Sequence, residues 1–168
     1  MTISMYQVSV PRFIHVLNNL SLILDKARTH TEAKKIDAAV LPHDRLFPDM
    51  LPLKTQVQIS CDAAGGVAAR LAGVEIPEFA NDEKTLADLQ GRIAKTIAFL
   101  ETMTAAQIDG TEAREVITKR GDKVTHYTGM QFLLGHAIPN FYFHVTTTYN
   151  ILRHNGVEIG KRDFLGKI

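Results

Sequence analysis

Four stretches of the chain repeat their apolar positions every three or four residues, the spacing of a helix that packs one face against other helices. The first runs from about Ser9 to Thr31 and carries Val10, Phe13, Leu17, Leu20, Leu24 and Ala27 on one stripe. Ser9 is the expected N-cap and Pro11 falls where a missing N–H costs little. A long connection from Ala33 to Met50 follows, with Pro42 and Pro48 inside it. Its length lets the second helix pair with something other than its sequence neighbour. That second helix opens at Asp49 to Pro52 and carries Leu53, Val57, Cys61, Ala64, Ala68 and Leu71. Gly65 and Gly66 thin its middle and invite a close neighbour, and Gly73 is its C-cap. Pro77 disfavours helix at Ile76, so VEIPEF reads as extended. The third helix starts at Asn81 or Asp82 and runs to about Met103 on Leu86, Leu89, Ile93, Ile97 and Leu100. Between Arg114 and Thr128 β-branched residues flank Arg120-Gly121-Asp122, the pattern of a small hairpin with that triplet at its tip. The fourth helix spans about Gly129 to His154 and ends at Asn155-Gly156. Pro139 lies inside it, so the helix either kinks there or begins there. The pattern is that of an all-α four-helix bundle with a long first crossover and a small β-hairpin before the last helix, built as one domain over residues 1–168.

Composition narrows the partners more than the chemistry. The formal charge is +1 over 168 residues, so no basic excess argues for nucleic acid. No run approaches the roughly 18 apolar residues of a membrane span. Cys61 is the only cysteine, which excludes an intrachain disulfide and suits the cytoplasm. The start, MTISMYQVSVPRF, lacks the charged and apolar regions of a signal peptide. There is no phosphate loop, zinc cysteine pair or nucleophile elbow.

Candidate chemistry concentrates in the last helix. His136, Asn140 and His144 are spaced four apart and share a face if the helix is unbroken, and groups so spaced can share a metal. Phe141, Val145, Thr148 and Leu152 form the better core stripe, with His144 at its edge. Two histidines and a carboxylate, His136, His144 and Asp62, would make a facial set for nickel, zinc or manganese. Alternatively His144 is a hydrogen-bonded histidine in a polar pocket, and Asp62 pairs with Arg70, Lys54 or a histidine across the bundle. Cys61 falls on the apolar stripe, as a buried small hydrophobe does. Arg153, His154, Lys161 and Arg162 cluster cations near the end of the last helix, where an acidic small molecule or a partner carboxylate would fit.

The run PNFYFHVTTTYNILRHNGVEIGKRDFLG, with DMLPLKTQVQISCDAA, RLAG, LNNLSLILDKA and LQGRIAKTIAFLE, resembles the DUF1993 family. That family is similar to the DinB/YfiT-like superfamily of four-helix bundles, many of them dimeric. The resemblance implies that fold and a homodimer. It also implies a divalent-metal site of three histidines, one on the second helix and a His-x-x-x-His pair on the fourth. Here the pair reads Asn140 and His144, and the second helix offers Gln56, Gln58 and Asp62 instead of histidine. The leading expectation is a protein that has lost that metal site and binds a small molecule in a cleft between the second and fourth helices. Asp62, Asn140, His144, Thr148 and Gln58 would line it. The alternatives are a divalent-metal-dependent transferase or hydrolase with an altered ligand set, some superfamily members being thiol-dependent transferases, and a non-catalytic structural or interaction dimer.

Overall fold

The computed structural model describes residues 3–167. Met1, Thr2 and Ile168, and with them the outer ends of the leader reading and of the 1–168 domain, lie outside the described residues. A short helix, α1 (Met5–Val8), is capped by the Ser4 hydroxyl, which accepts from the Gln7 N–H. It breaks at Ser9, whose side chain does not cap the next helix but donates back to the Met5 carbonyl at 2.6 Å. Helix α2 (Val10–Lys34) then runs three residues past its expected end. The connection after it holds one further turn, α3 (Val40–His43). Helix α4 (Leu53–Ala72) ends at Gly73, whose φ of 72° is the left-handed cap expected of glycine.

Helix α5 (Leu86–Glu101) starts later than Asn81 or Asp82. Its cap is Thr85, paired with Asp88 in a capping box, because the chain before it is held extended. A turn of helix, α6 (Ala105–Ile108), leads to the hairpin. Strands β1 (Glu115–Arg120) and β2 (Lys123–Thr128) pair from Glu115↔Thr128 to Arg120↔Lys123, which puts Gly121 and Asp122 at the tip. The last long helix is interrupted just before Pro139, where a new α-helical segment begins. Helix α7 (Gly129–Phe132) passes through a π-turn (Leu133–Ala137) into α8 (Ile138–His154). In the π-turn the Ile138 N–H reaches back five residues to the Leu133 carbonyl. The wider turn accommodates the proline that follows, and it shifts the faces before and after it out of α-helical phase. A final turn, α9 (Lys161–Leu165), docks the C-terminal segment on α2 through the Lys26–Asp163 ion pair and the Asn19 amide, which donates to the Phe164 carbonyl.

Side-chain contacts fix the helix directions. Phe13 packs on Phe141 with ring centroids 4.8 Å apart, and His30 sits beside Gly156, so α2 and the last helix run parallel. Gln56 meets His144 while Arg70 meets Phe132, so α4 runs against the last helix. Asp62 meets Arg92 and Gly65 faces Phe99, so α4 and α5 run parallel. The order is up, down, down, up. The first connection is long, as expected, and leads the chain diagonally to a helix that packs mainly on α5 and α8. The segment that returns along the whole bundle is residues 74–84, between parallel neighbours. Pro77 of this strap lies over Gly65, where a Cβ would come within 3.3 Å of the proline ring. Gly65 therefore admits the strap, and the same Cβ would lie 3.9 Å from the Phe99 ring of α5. The core between the layers is continuous from Met5 through Phe13, Leu24, Val57, Leu89 and Phe141 to Ile159.

Candidate functional site

The main concavity that includes sequence-derived candidates is a cleft of about 480 Å³ between α4, the hairpin and the π-turn region. Asp62, Val67 and Arg70 supply one wall, Thr118, Arg120, Lys123, Thr125 and Tyr127 a second, and Phe132, His136 and Asn140 the third. The π-turn is what aims the last group. It lets His136 stack on Phe132, with centroids 5.6 Å apart, and sit 5.9 Å from Tyr127. These rings make a flat apolar side. Asn140 is half-buried, and its amide makes no hydrogen bond among the described residues, so donor and acceptor are both available to a ligand. Of the residues expected in the site, Asp62, His136 and Asn140 thus share one cleft. Gln58, His144 and Thr148 do not line it.

Asp62 pairs with none of the partners expected of it. Its carboxylate takes the Arg92 guanidinium of α5 at 2.6 Å. Arg92 is buried and also grips Glu83 of the strap at 2.9 Å, and its plane lies 5.0 Å from the Phe79 ring. Gln58 belongs to this network, donating to Glu83 at 2.8 Å. Burial alone would raise the Glu83 pKa. The hydrogen bonds from Arg92 and Gln58 outweigh that and hold the carboxyl below its usual range. Arg92 was not among the expected site residues, although the signal was present. It stands three residues after Leu89 and four before Thr96, on the buried face of α5.

His144 occupies a different position, against the start of α4. Its Nδ1–H donates to the Gln56 amide oxygen at 2.6 Å, and the Gln56 amide nitrogen donates in turn to the Leu51 carbonyl. The relay fixes the ring tautomer and leaves Nε2 with its lone pair. Burial lowers the His144 pKa, so the neutral ring is favoured. Thr148 is sealed in the core, its hydroxyl donating to the His144 carbonyl. This is the hydrogen-bonded histidine in a polar pocket.

The donor set does not fit a divalent metal. Among the described residues no three His, Cys, Asp or Glu side chains converge on a point. His144 is engaged by Gln56, Asp62 by Arg92, and His136 stacks on rings on the other side of the π-turn. Two α-helical turns alone would separate His136 from His144 by about 12 Å. Cys61 is wholly buried, and burial pushes its thiol up to about 12. At the end of the last helix, Arg153 donates to the Val157 carbonyl at 3.3 Å. What the sequence did not bring together is the basic hairpin, whose Arg120 and Lys123 stand on the face that lines the same cleft as Arg70.

The family model for DUF1993, a domain of unknown function, matches residues 5–165. A crystal structure of a DinB family member protein from Shewanella denitrificans superimposes with a TM-score of 0.88 at 43% sequence identity, over 97% of this chain and 92% of that one. No protein with a curated description matches.

Arg92→Met is expected to destabilise the fold by about 3–5 kcal/mol, because it strands the buried Glu83 carboxylate. Asp62→Asn costs about 0–1 kcal/mol, since Asp62 stays half exposed and solvent screens its pair. Urea unfolding of the two variants separates them, and equal effects would refute the anchoring role. For His144 the folded state favours the neutral ring, so its contribution is fully present above the unfolded pKa of about 6.5. Below that pH the unfolded chain takes the proton first and stability falls, until the folded pKa is passed. An NMR titration midpoint for His144 below the ordinary histidine value checks this, and one above it would contradict the burial argument.

Proposed function

The chain belongs to the DUF1993 family, and on that premise we propose that this DinB-like helical protein takes a small molecule into the cleft between α4, the hairpin and the start of α8. The observation that carries the reading is Asn140. Its uncommitted, half-buried amide stands beside an aromatic wall, in a cavity of about 480 Å³. A pocket of that size with an apolar side and few convergent polar groups suits a small ligand. Loss of the three-histidine metal site is part of the proposal. Its support is Gln56, which engages His144 through a hydrogen bond from across the bundle. The transferase or hydrolase alternative would require Asp62 to leave Arg92 and His136 to reach His144.

The same proposal includes a homodimer in the cytoplasm. Support for the dimer is the exposure of large apolar side chains such as Phe47, Leu134 and Phe143. Support for the location is the lone buried thiol, and no helix among the described residues is long and apolar enough to cross a membrane.

Two measurements test these readings. Asn140→Trp, which fills the cleft, is expected to abolish melting-temperature shifts given by fragment ligands, whereas His144→Ala leaves them in place. Shifts that survive Asn140→Trp and vanish in His144→Ala would move the site to the other pocket. Light scattering at micromolar concentration is expected to give twice the chain mass, and a monomer would sink the dimer.

A further inference from the structure

We propose that the cleft is built for a small organic anion, with a carboxylate or phosphate held by Arg70 and the hairpin cations and an apolar body laid against Tyr127 and Phe132. This rests on the reading of the cleft as a small-molecule site and adds the chemical class of the ligand.

The argument is one of charges already committed and charges left over. Among the described lining residues Asp62 is the only carboxylate, and it is drawn toward Arg92, which it shares with Glu83. Beside it on α4 stands Arg70, and across the cleft on one face of the hairpin stand Arg120 and Lys123, none of which forms an ion pair among the described residues. The whole chain carries a formal charge of only +1, so this concentration of cations is local. Low-dielectric walls around such a group focus its potential on the space between them.

Two features make the arrangement costly without a ligand. Arg120 and Lys123 are direct cross-strand partners at the last pair of the hairpin. Like charges directly opposite destabilise a strand pair, and a polar or opposite residue there would serve the fold better. Arg70 is half-buried, and desolvation lowers its pKa with no carboxylate to compensate. The fold nevertheless makes room for it. A Cβ on Gly66 would stand 2.7 Å from the Arg70 Nη1, which donates to the Gly66 carbonyl at 2.9 Å. The guanidinium also lies over the Phe132 ring at 5.8 Å. One hydrogen bond and one ring fix its plane, and the remaining donors are left for a planar or tetrahedral oxyanion, which a guanidinium binds through paired N–H groups. Tyr127, half-buried and backed by the buried Phe132 ring 5.6 Å away, offers the adjoining apolar surface.

Heteronuclear NMR titration of the full chain with phenyl phosphate, benzoate and benzyl alcohol tests the assignment. At least one of the two anions is expected to move the amide resonances of Arg70, Tyr127 and the hairpin tip, and to bind at least about tenfold more tightly than benzyl alcohol. Their relative strength identifies phosphate or carboxylate as the preferred head. Arg70→Met keeps the stem and is expected to remove that preference while leaving benzyl alcohol binding unchanged. The Arg120→Gln/Lys123→Gln pair, at exposed positions, weakens anion binding and flattens its salt dependence, which keeps the test valid if Arg70→Met fails to fold. If benzyl alcohol binds in the cleft as tightly as the anions and the variants change nothing, the anion assignment falls and the small-molecule reading stands. If none of the three moves a cleft resonance, both fall. A single-stranded oligonucleotide that moves them when neither small anion does would overturn the small-ligand assignment.

Discussion

Arg92 is the charge that this bundle takes out of water, and the architecture follows from how it is held. Two neighbouring helices, α4 and α5, run parallel, so the chain must travel back along the bundle between them. A segment without secondary structure of its own has little to fix it. Here Glu83 and Phe79 of the strap close on the Arg92 guanidinium, while Asp62 and, through Glu83, Gln58 tie the same group to α4. One buried side chain thereby joins two helices and the strap that links them. The glycine at position 65 completes the arrangement by letting Pro77 lie flat on α4.

The same network decides what Asp62 can do. A carboxylate already paired at 2.6 Å is a poor metal ligand, yet it stands on the rim of the cleft. With Asp62 held toward Arg92, the cations of the cleft have no carboxylate partner among the described residues. Structural stability and ligand choice are therefore linked through one residue: the group that anchors the strap also holds Asp62 in place.

Gln56 and His144 meet where helices that face each other in this superfamily were expected to share a metal. Their contact is a hydrogen-bond relay ending on the Leu51 carbonyl, which orients the ring and favours its neutral form. Asn140, the changed position of the fourth-helix pair, lines the cleft together with His136 instead. The π-turn before Pro139 is the backbone feature that takes His136 out of α-helical phase with His144.

Much of the fold was legible because helices leave a periodic trace. The stripes on α2, α4, α5 and α8, the Gly73 cap, the extended stretch at Pro77 and the hairpin around Gly121 each follow from local preference and apolar spacing. Element starts were less legible. Ser9 and Asn81 look like caps, but a cap is chosen by which hydroxyl or carboxylate reaches a free N–H, and Thr85 with Asp88 won because the strap holds the chain before it extended. The sequence by itself determined the helical class, the hairpin, the family and the presence of Asp62 and Asn140 near one another. Only the tertiary structure decided that Asp62 answers to Arg92, that Gln58 binds the strap, that Gln56 takes His144, and that the hairpin brings Arg120 and Lys123 to the cleft of Arg70. The reason is physical. Helical periodicity is a property of neighbours in sequence, whereas the partner of a charge is set by which helix lies alongside, and that depends on an up, down, down, up arrangement that no local pattern records.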